Sequence, residues 1–175
     1  MIDICNYLDV QLFFVTTLST SQATPALRFL TAHWGLGRAL AEHLEPLLTR
    51  TYDLELRAYL VLSSVSRGIV YPSDLADRLS LPRDTTSRLL QILLKKGLIT
   101  KRIDPDDSRR IQQSVTLAGE TLLREARATL ETILEPLLDD LGADSLEHFL
   151  TTTETLRSQI AQTLGERCAA SIPTR

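Results

Sequence analysis

The sequence predicts a mainly α-helical fold with one small β-hairpin, and three observations lead there. Apolar residues recur at helical spacing from Ala26 to Leu164, in segments bounded by capping residues, glycine or proline. Two stretches break that rhythm: LITKRI (98–103) and IQQSV (111–115) alternate apolar and polar and flank the turn-forming DPDDSRR. The chain has 175 residues, 43% hydrophobic and 23% charged, enough to bury a core without staples.

The elements follow in order. The first helical stripe takes in Leu27, Leu30, Trp34, Leu40, Leu44, Leu47 and Leu48, and Pro46 should bend or end that helix. Asp53 is expected to N-cap a second helix, LELRAYLVLSSV. Its inward residues should be Leu56, Tyr59, Leu60 and either Val61 or Ser63, and Gly68 should close it. GIVYP can form a strand of a few residues, and Ser73 should cap a two-turn helix, DLADRL. After the tight turn LSLP, the segment RDTTSRLLQILLKK forms another helix. Lys95 and Lys96 stand in its last turn, where the dipole favours cations, and Gly97 follows.

Two short helices joined by a brief turn, the second opening on small polar residues and backed by leucines, have the spacing of a helix-turn-helix. The hairpin that follows is then a wing. Thr116 should cap a long helix with an apolar stripe from Leu122 to Leu141, stopped by Gly142. Ser145 or Asp144 should cap the last helix, with Leu146, Phe149, Leu150, Leu156, Ile160 and Leu164 on one side and a frayed tail after Gly165. These long terminal helices find no partner inside so small a core and most simply pack against a second copy. The expected organisation is an N-terminal extension (1–23), an N-terminal dimerisation helix (24–52), a winged helix-turn-helix domain (53–117), C-terminal dimerisation helices (118–165) and a flexible tail (166–175).

Charge is distributed unevenly. Net charge is −3 overall, but residues 83–110 carry 8 basic and 4 acidic side chains, a net of +4. The flanking segments are negative, −2 over residues 1–82 and −5 over residues 111–175. A local positive footprint of this kind suits a phosphate-bearing partner, although a solvated face can look the same. Cys5 and Cys168 lie near opposite ends without metal-ligand spacing, which fits a reducing, cytoplasmic setting. No apolar run has membrane-spanning length, and the acidic N-terminus is unlike an export signal.

Four pieces stand in register: Asp84-Thr85-Thr86-Ser87-Arg88-Leu89-Leu90, then Leu94-Lys95-Lys96-Gly97-Leu98-Ile99, then Asp104-Pro105-Asp106-Asp107-Ser108-Arg109-Arg110, and last Val115-Thr116-Leu117-Ala118-Gly119. Together they resemble the MarR family of bacterial transcriptional regulators. The resemblance covers roughly residues 54–141. Pro82 stands where the family usually places a serine cap, and Val115 and Ala118 are mild variants. The resemblance implies a winged helix-turn-helix homodimer on double-stranded operator DNA, often released by a small aromatic effector.

Candidate contacts follow from chemistry. Thr85, Thr86, Ser87, Arg88 and Gln91 offer the donors and methyl groups that read base edges in a major groove. Arg83 and Lys101 suit phosphates, which position without specifying. Arg109 and Arg110 stand at the hairpin tip because a narrow minor groove attracts arginine. Asp107 is expected to accept from the Arg109 guanidinium and hold its fork. An ordinary surface helix and a salt-bridged hairpin would carry similar residues. By resemblance an effector would meet His33, Trp34, Arg38, Arg57 and Tyr59, residues that also suit a core or interface.

No enzyme signature, metal site or cofactor is expected: Gly35 and Gly37 form no dinucleotide loop, and His33, His43 and His148 lack ligand spacing. The alternatives at this point are a winged-helix protein-interaction module that binds no DNA, and a redox regulator using Cys5.

Overall fold

A computed structural model describes residues 24–105 and 107–170. The expectations placed on residues 1–23, Cys5 among them, lie outside the described residues. The chain divides into two compact units at the Glu120/Thr121 boundary. The first holds α1 (Pro25–Tyr52), α2 (Leu56–Ser66), α3 (Pro72–Leu79), α4 (Arg83–Lys95), an antiparallel hairpin of β1 (Ile99–Ile103) and β2 (Ile111–Val115), and the first turn of α5 (Leu117–Asp139). The second holds the remainder of α5 and all of α6 (Ala143–Ala170).

Thr24 caps α1, with Oγ1 accepting from the Leu27 N–H at 3.4 Å. The helix runs through Pro46 instead of ending there. One missing backbone bond is tolerated because Leu44 and Leu48, on either side of it, are buried and anchor both turns. The helix stops at Asp53, which is left-handed at φ 51° and donates its N–H to the carbonyls of Leu48 and Thr49. Asp53 is therefore the C-cap of α1 and not the expected N-cap of α2. Aspartate tolerates this conformation, and the tight reversal needs it. Glu55 takes the N-cap position, and the carboxylate of Glu45 accepts from the Leu56 N–H at 2.9 Å.

Inside α2, Ala58, Tyr59, Val61, Leu62, Ser63 and Val65 are buried, whereas Leu60 turns outward. GIVYP forms no strand, yet the Val70 carbonyl accepts from the Gln113 N–H at 2.8 Å, so it runs beside β2. Tyr71, not Ser73, is the N-cap of α3, because Pro72 at the first helical position sets the start two residues earlier. Ser73 donates to Asp74 instead. Leu75, Leu89, Leu93 and Ile99 are almost wholly buried and form the shared core of α3, α4 and β1. Each fully buried leucine contributes on the order of 2 kcal/mol.

Gly97 (φ 68°) turns the chain from α4 into β1. Three bonds then fasten the start of α5 to that turn. The Thr116 hydroxyl donates to the Gly97 carbonyl (2.7 Å) and accepts from the Gly119 N–H (3.1 Å), and the Thr116 N–H donates to Leu98 O (3.0 Å). Thr116 is thus the expected cap. Gly119 lies so close that an added Cβ would stand 2.2 Å from Leu98 O.

In the second unit, α5 runs through Pro136, and Leu123, Ala126 and Leu130 are buried. Gly142 (φ 78°) ends the connection, and its carbonyl accepts from Leu146 N–H at 3.0 Å. Asp144 and Ser145 therefore sit inside the first turn of α6 instead of capping it. The helix continues past Gly165 to Ala170, further than the expected start of the tail.

Candidate nucleic-acid interface

The N-terminus of α4 has no side-chain cap. Pro82 occupies the N-cap, and the first intrahelical bond is from Thr86 N–H to Pro82 O, 2.9 Å. The N–H groups ahead of Thr86 point out of the helix end, the arrangement that receives a phosphate or a base edge. Arg83, Ser87, Arg88 and Gln91 are exposed and Thr85 is half-buried. Arg83, Ser87 and Gln91 are spaced at four residues and share one face.

Thr86 departs from expectation. It is 1% exposed, and its hydroxyl donates to Pro82 O at 3.1 Å. It shores up the helix start that lacks a serine cap and presents nothing to a groove. Arg88 has a partner of its own: Nη1 lies 3.5 Å from a carboxylate oxygen of Glu55, both side chains about half exposed. At the other end of α4, Lys96 pairs with the Asp53 carboxylate, tying the helix to the end of α1.

The wing is built around a buried acid. Asp104 is 4% exposed. Its Oδ1 accepts from the Asp107 N–H at 3.2 Å, and its Oδ2 accepts from the Tyr71 hydroxyl and from Gln112 Nε2 at 3.0 Å. Gln112 Nε2 also lies 3.1 Å from the Tyr71 oxygen. The bond to Asp104 pushes the Tyr71 phenol above its ordinary pKa, with Gln112 opposing. Arg110 lays its guanidinium over the Tyr71 ring, 3.5 Å from the centroid.

The turn itself is closed by backbone bonds. Asp104 N–H donates to Arg110 O (3.0 Å), and Arg110 N–H donates to Asp107 O (2.9 Å). Asp107 Oδ1 accepts the backbone N–H of Arg109 at 3.0 Å. The expected carboxylate–guanidinium pair is thus replaced by an Asx-type turn, because the short aspartate reaches its own backbone more readily than the end of a long arginine. Arg109 projects exposed from that turn, and Lys101 is exposed on β1.

A concavity between α1 and α2 is lined by Ala41, Glu42, Glu45, Pro46, Glu55 and Arg57, so Arg57 is the one effector candidate it includes. Arg38 is paired with Glu42 at 2.7 Å, His33 contacts Phe29 O, Trp34 is 66% exposed, and Tyr59 is buried in the core. Sequence reasoning missed Tyr71, Gln112 and Glu55. Their signal was weak: a lone tyrosine before a proline, a strand glutamine and an inter-helix glutamate mark nothing until the chain has folded.

Residues 52–110, from the end of α1 to the last residue of the wing turn, match the family model for the MarR family. A curated relative of this chain is YdgG of Bacillus subtilis (strain 168), an uncharacterized HTH-type transcriptional regulator, 28% identical over 95 residues. That match takes in 53% of this chain and spans 62% of YdgG. Among solved structures, the transcriptional regulator BldR from Sulfolobus solfataricus is similar at a TM-score of 0.71 and 20% identity, covering 77% of this chain and 96% of BldR. MepR of S. aureus, in a complex with DNA, is similar at 0.65 and 18%, covering 78% of this chain and 96% of MepR. At such identities these structures establish the fold: mainly helical, with a two-stranded wing.

Proposed function

We propose that this chain is a sequence-specific regulator of transcription that binds double-stranded DNA as a homodimer, most simply as a repressor. The observation that carries the proposal is the pairing of an uncapped, arginine-bearing helix start with an exposed arginine on a rigid turn. Arg83, Ser87, Arg88, Gln91 and the less exposed Thr85 would enter the major groove, Arg109 the minor groove, and Lys101 the phosphate backbone. The match of residues 52–110 to the MarR family model, the HTH-type transcriptional regulator YdgG and the DNA complex of MepR support the reading. No catalytic step is part of it.

The dimer is supported by α1. Leu27, Leu30, Trp34, Leu36 and Leu40 are 40–66% exposed, more apolar surface than a solitary helix leaves in water. Residues 24–52 and 118–165 would then serve dimerisation, and 53–117 DNA. Two recognition helices related by a two-fold axis read half-sites about one helical turn apart, so the operator would be roughly palindromic. A small aromatic acid meeting Arg57 at the α1–α2 concavity would be the effector. No helix among the described residues is long and apolar enough to cross a membrane, in keeping with a cytoplasmic regulator.

Selection of duplexes from a random pool tests this. Enrichment of an inverted repeat supports the proposal. A pool that shows no enrichment at low salt rejects it in favour of a winged-helix module whose acidic flanks bind protein.

A further inference from the structure

The two wing arginines stand in different surroundings, Arg110 over the ring of Tyr71 and Arg109 on the Asp107 turn. Tyr71 is the N-cap of α3, 33 positions before Asp104, yet its hydroxyl donates to that buried carboxylate and its ring lies beneath Arg110. The strand next to it is fastened at the same place, through Gln113 N–H to Val70 O and Gln112 Nε2 to the tyrosine oxygen. A buried carboxylate needs every lone pair engaged, and removing one donor costs more than an average hydrogen bond. Arg110 is exposed, but its guanidinium is held against the face of the Tyr71 ring.

We propose that Tyr71 is the positioning residue of the wing: it fixes the hairpin to the helix-turn-helix through Asp104 and holds Arg110 back, so that Arg109 alone is presented to the minor groove. This inference rests on the DNA-binding reading above. Tyr71 touches no base. It acts by setting where Arg109 stands relative to α4, so its loss should matter only while Arg109 is there to be placed.

The test uses the full-length protein, Tyr71→Phe, Arg109→Ala and their combination. Phenylalanine keeps a ring for Arg110 and removes only the donor to Asp104. Amide hydrogen exchange without DNA reports the anchor, and anisotropy on a duplex selected from the random pool reports binding. We expect faster exchange across residues 99–115, with α4 protection and the thermal midpoint close to wild type. Affinity should fall at least about fivefold in Tyr71→Phe, and the Arg109→Ala protein should lose almost nothing more when Tyr71→Phe is added.

Unchanged wing exchange in Tyr71→Phe would overturn the anchor. Faster exchange with unchanged affinity, or a loss that simply multiplies with that of Arg109→Ala, would overturn the positioning role, because a merely structural weakening is independent of Arg109. If wild type itself binds no selected duplex while its wing exchange is slow, the DNA-binding reading fails and the positioning role falls with it. In the other two cases wild type binds, so the failures can be told apart.

Discussion

At the scale of single residues, what counts is which charges are spoken for. Arg88 shares its guanidinium with Glu55, so a groove must compete for it. We expect Glu55→Gln to tighten DNA binding by about 0.2–1 kcal/mol, the worth of a half-exposed pair, with a smaller preference for the selected sequence over random duplex. Paired titrations on the two duplexes measure both quantities. Arg109→Ala should weaken binding by about 1–3 kcal/mol, read by gel shift. The Tyr71 phenol has a raised pKa in the folded chain, with its bond to Asp104 as the largest cause. The stabilisation it brings is therefore complete below the ordinary tyrosine pKa and disappears as pH climbs through the folded value. A difference absorbance titration of wild type against Tyr71→Phe should show one tyrosine ionising late. The candidates themselves were legible as chemistry, while their orientation was not. Thr86 looked equal to Ser87, and only the helix phase turned one inward and the other out.

At the scale of elements, glycine and proline were read in the right places but not always with the right effect. Gly97 and Gly142 adopt positive φ and end their segments as expected. Pro46 does not end its helix, because the burial of Leu44 and Leu48 on neighbouring turns outweighs one missing bond. The capping residues at 53, 73 and 145 were each misplaced by one to three positions, since several polar residues in a row compete and tertiary contacts choose among them. Gly119 is the sharpest case. In sequence it is one letter of a motif, and in the fold it is the contact that lets α5 start against the carbonyl of Leu98. Gly119→Ala forces a backbone to move, so we expect a loss of about 1–3 kcal/mol in chemical denaturation. The circular dichroism signal should stay helical. A variant as stable as wild type would mean that α5 can start elsewhere.

At the scale of the whole molecule, the charge map and most of the apolar map belong to different segments. The positive excess lies in residues 83–110, and most of the exposed large apolar residues lie on α1, on α6 and from the second half of α5 to Leu141, with Leu60, Ile103, Ile111 and Leu117 the exceptions. Under the proposed function, that separation would let one surface hold a partner copy while another meets DNA. It was visible in the sequence as blocks of charge and stripes of leucine, though which leucines stay uncovered needed the fold. Placing aspartate at both Leu30 and Trp34 should give a monomer by sedimentation and reduce operator affinity far more than twofold, because the two half-sites would no longer be bound together. The most direct measurement is the salt dependence of binding to the selected duplex, wild type beside Arg109→Ala. We expect a steep linear fall of log affinity with log salt, and a slope shallower by about one in the variant. A wild-type affinity indifferent to salt, or identical slopes for the two proteins, would mean that these cations do not grip the duplex.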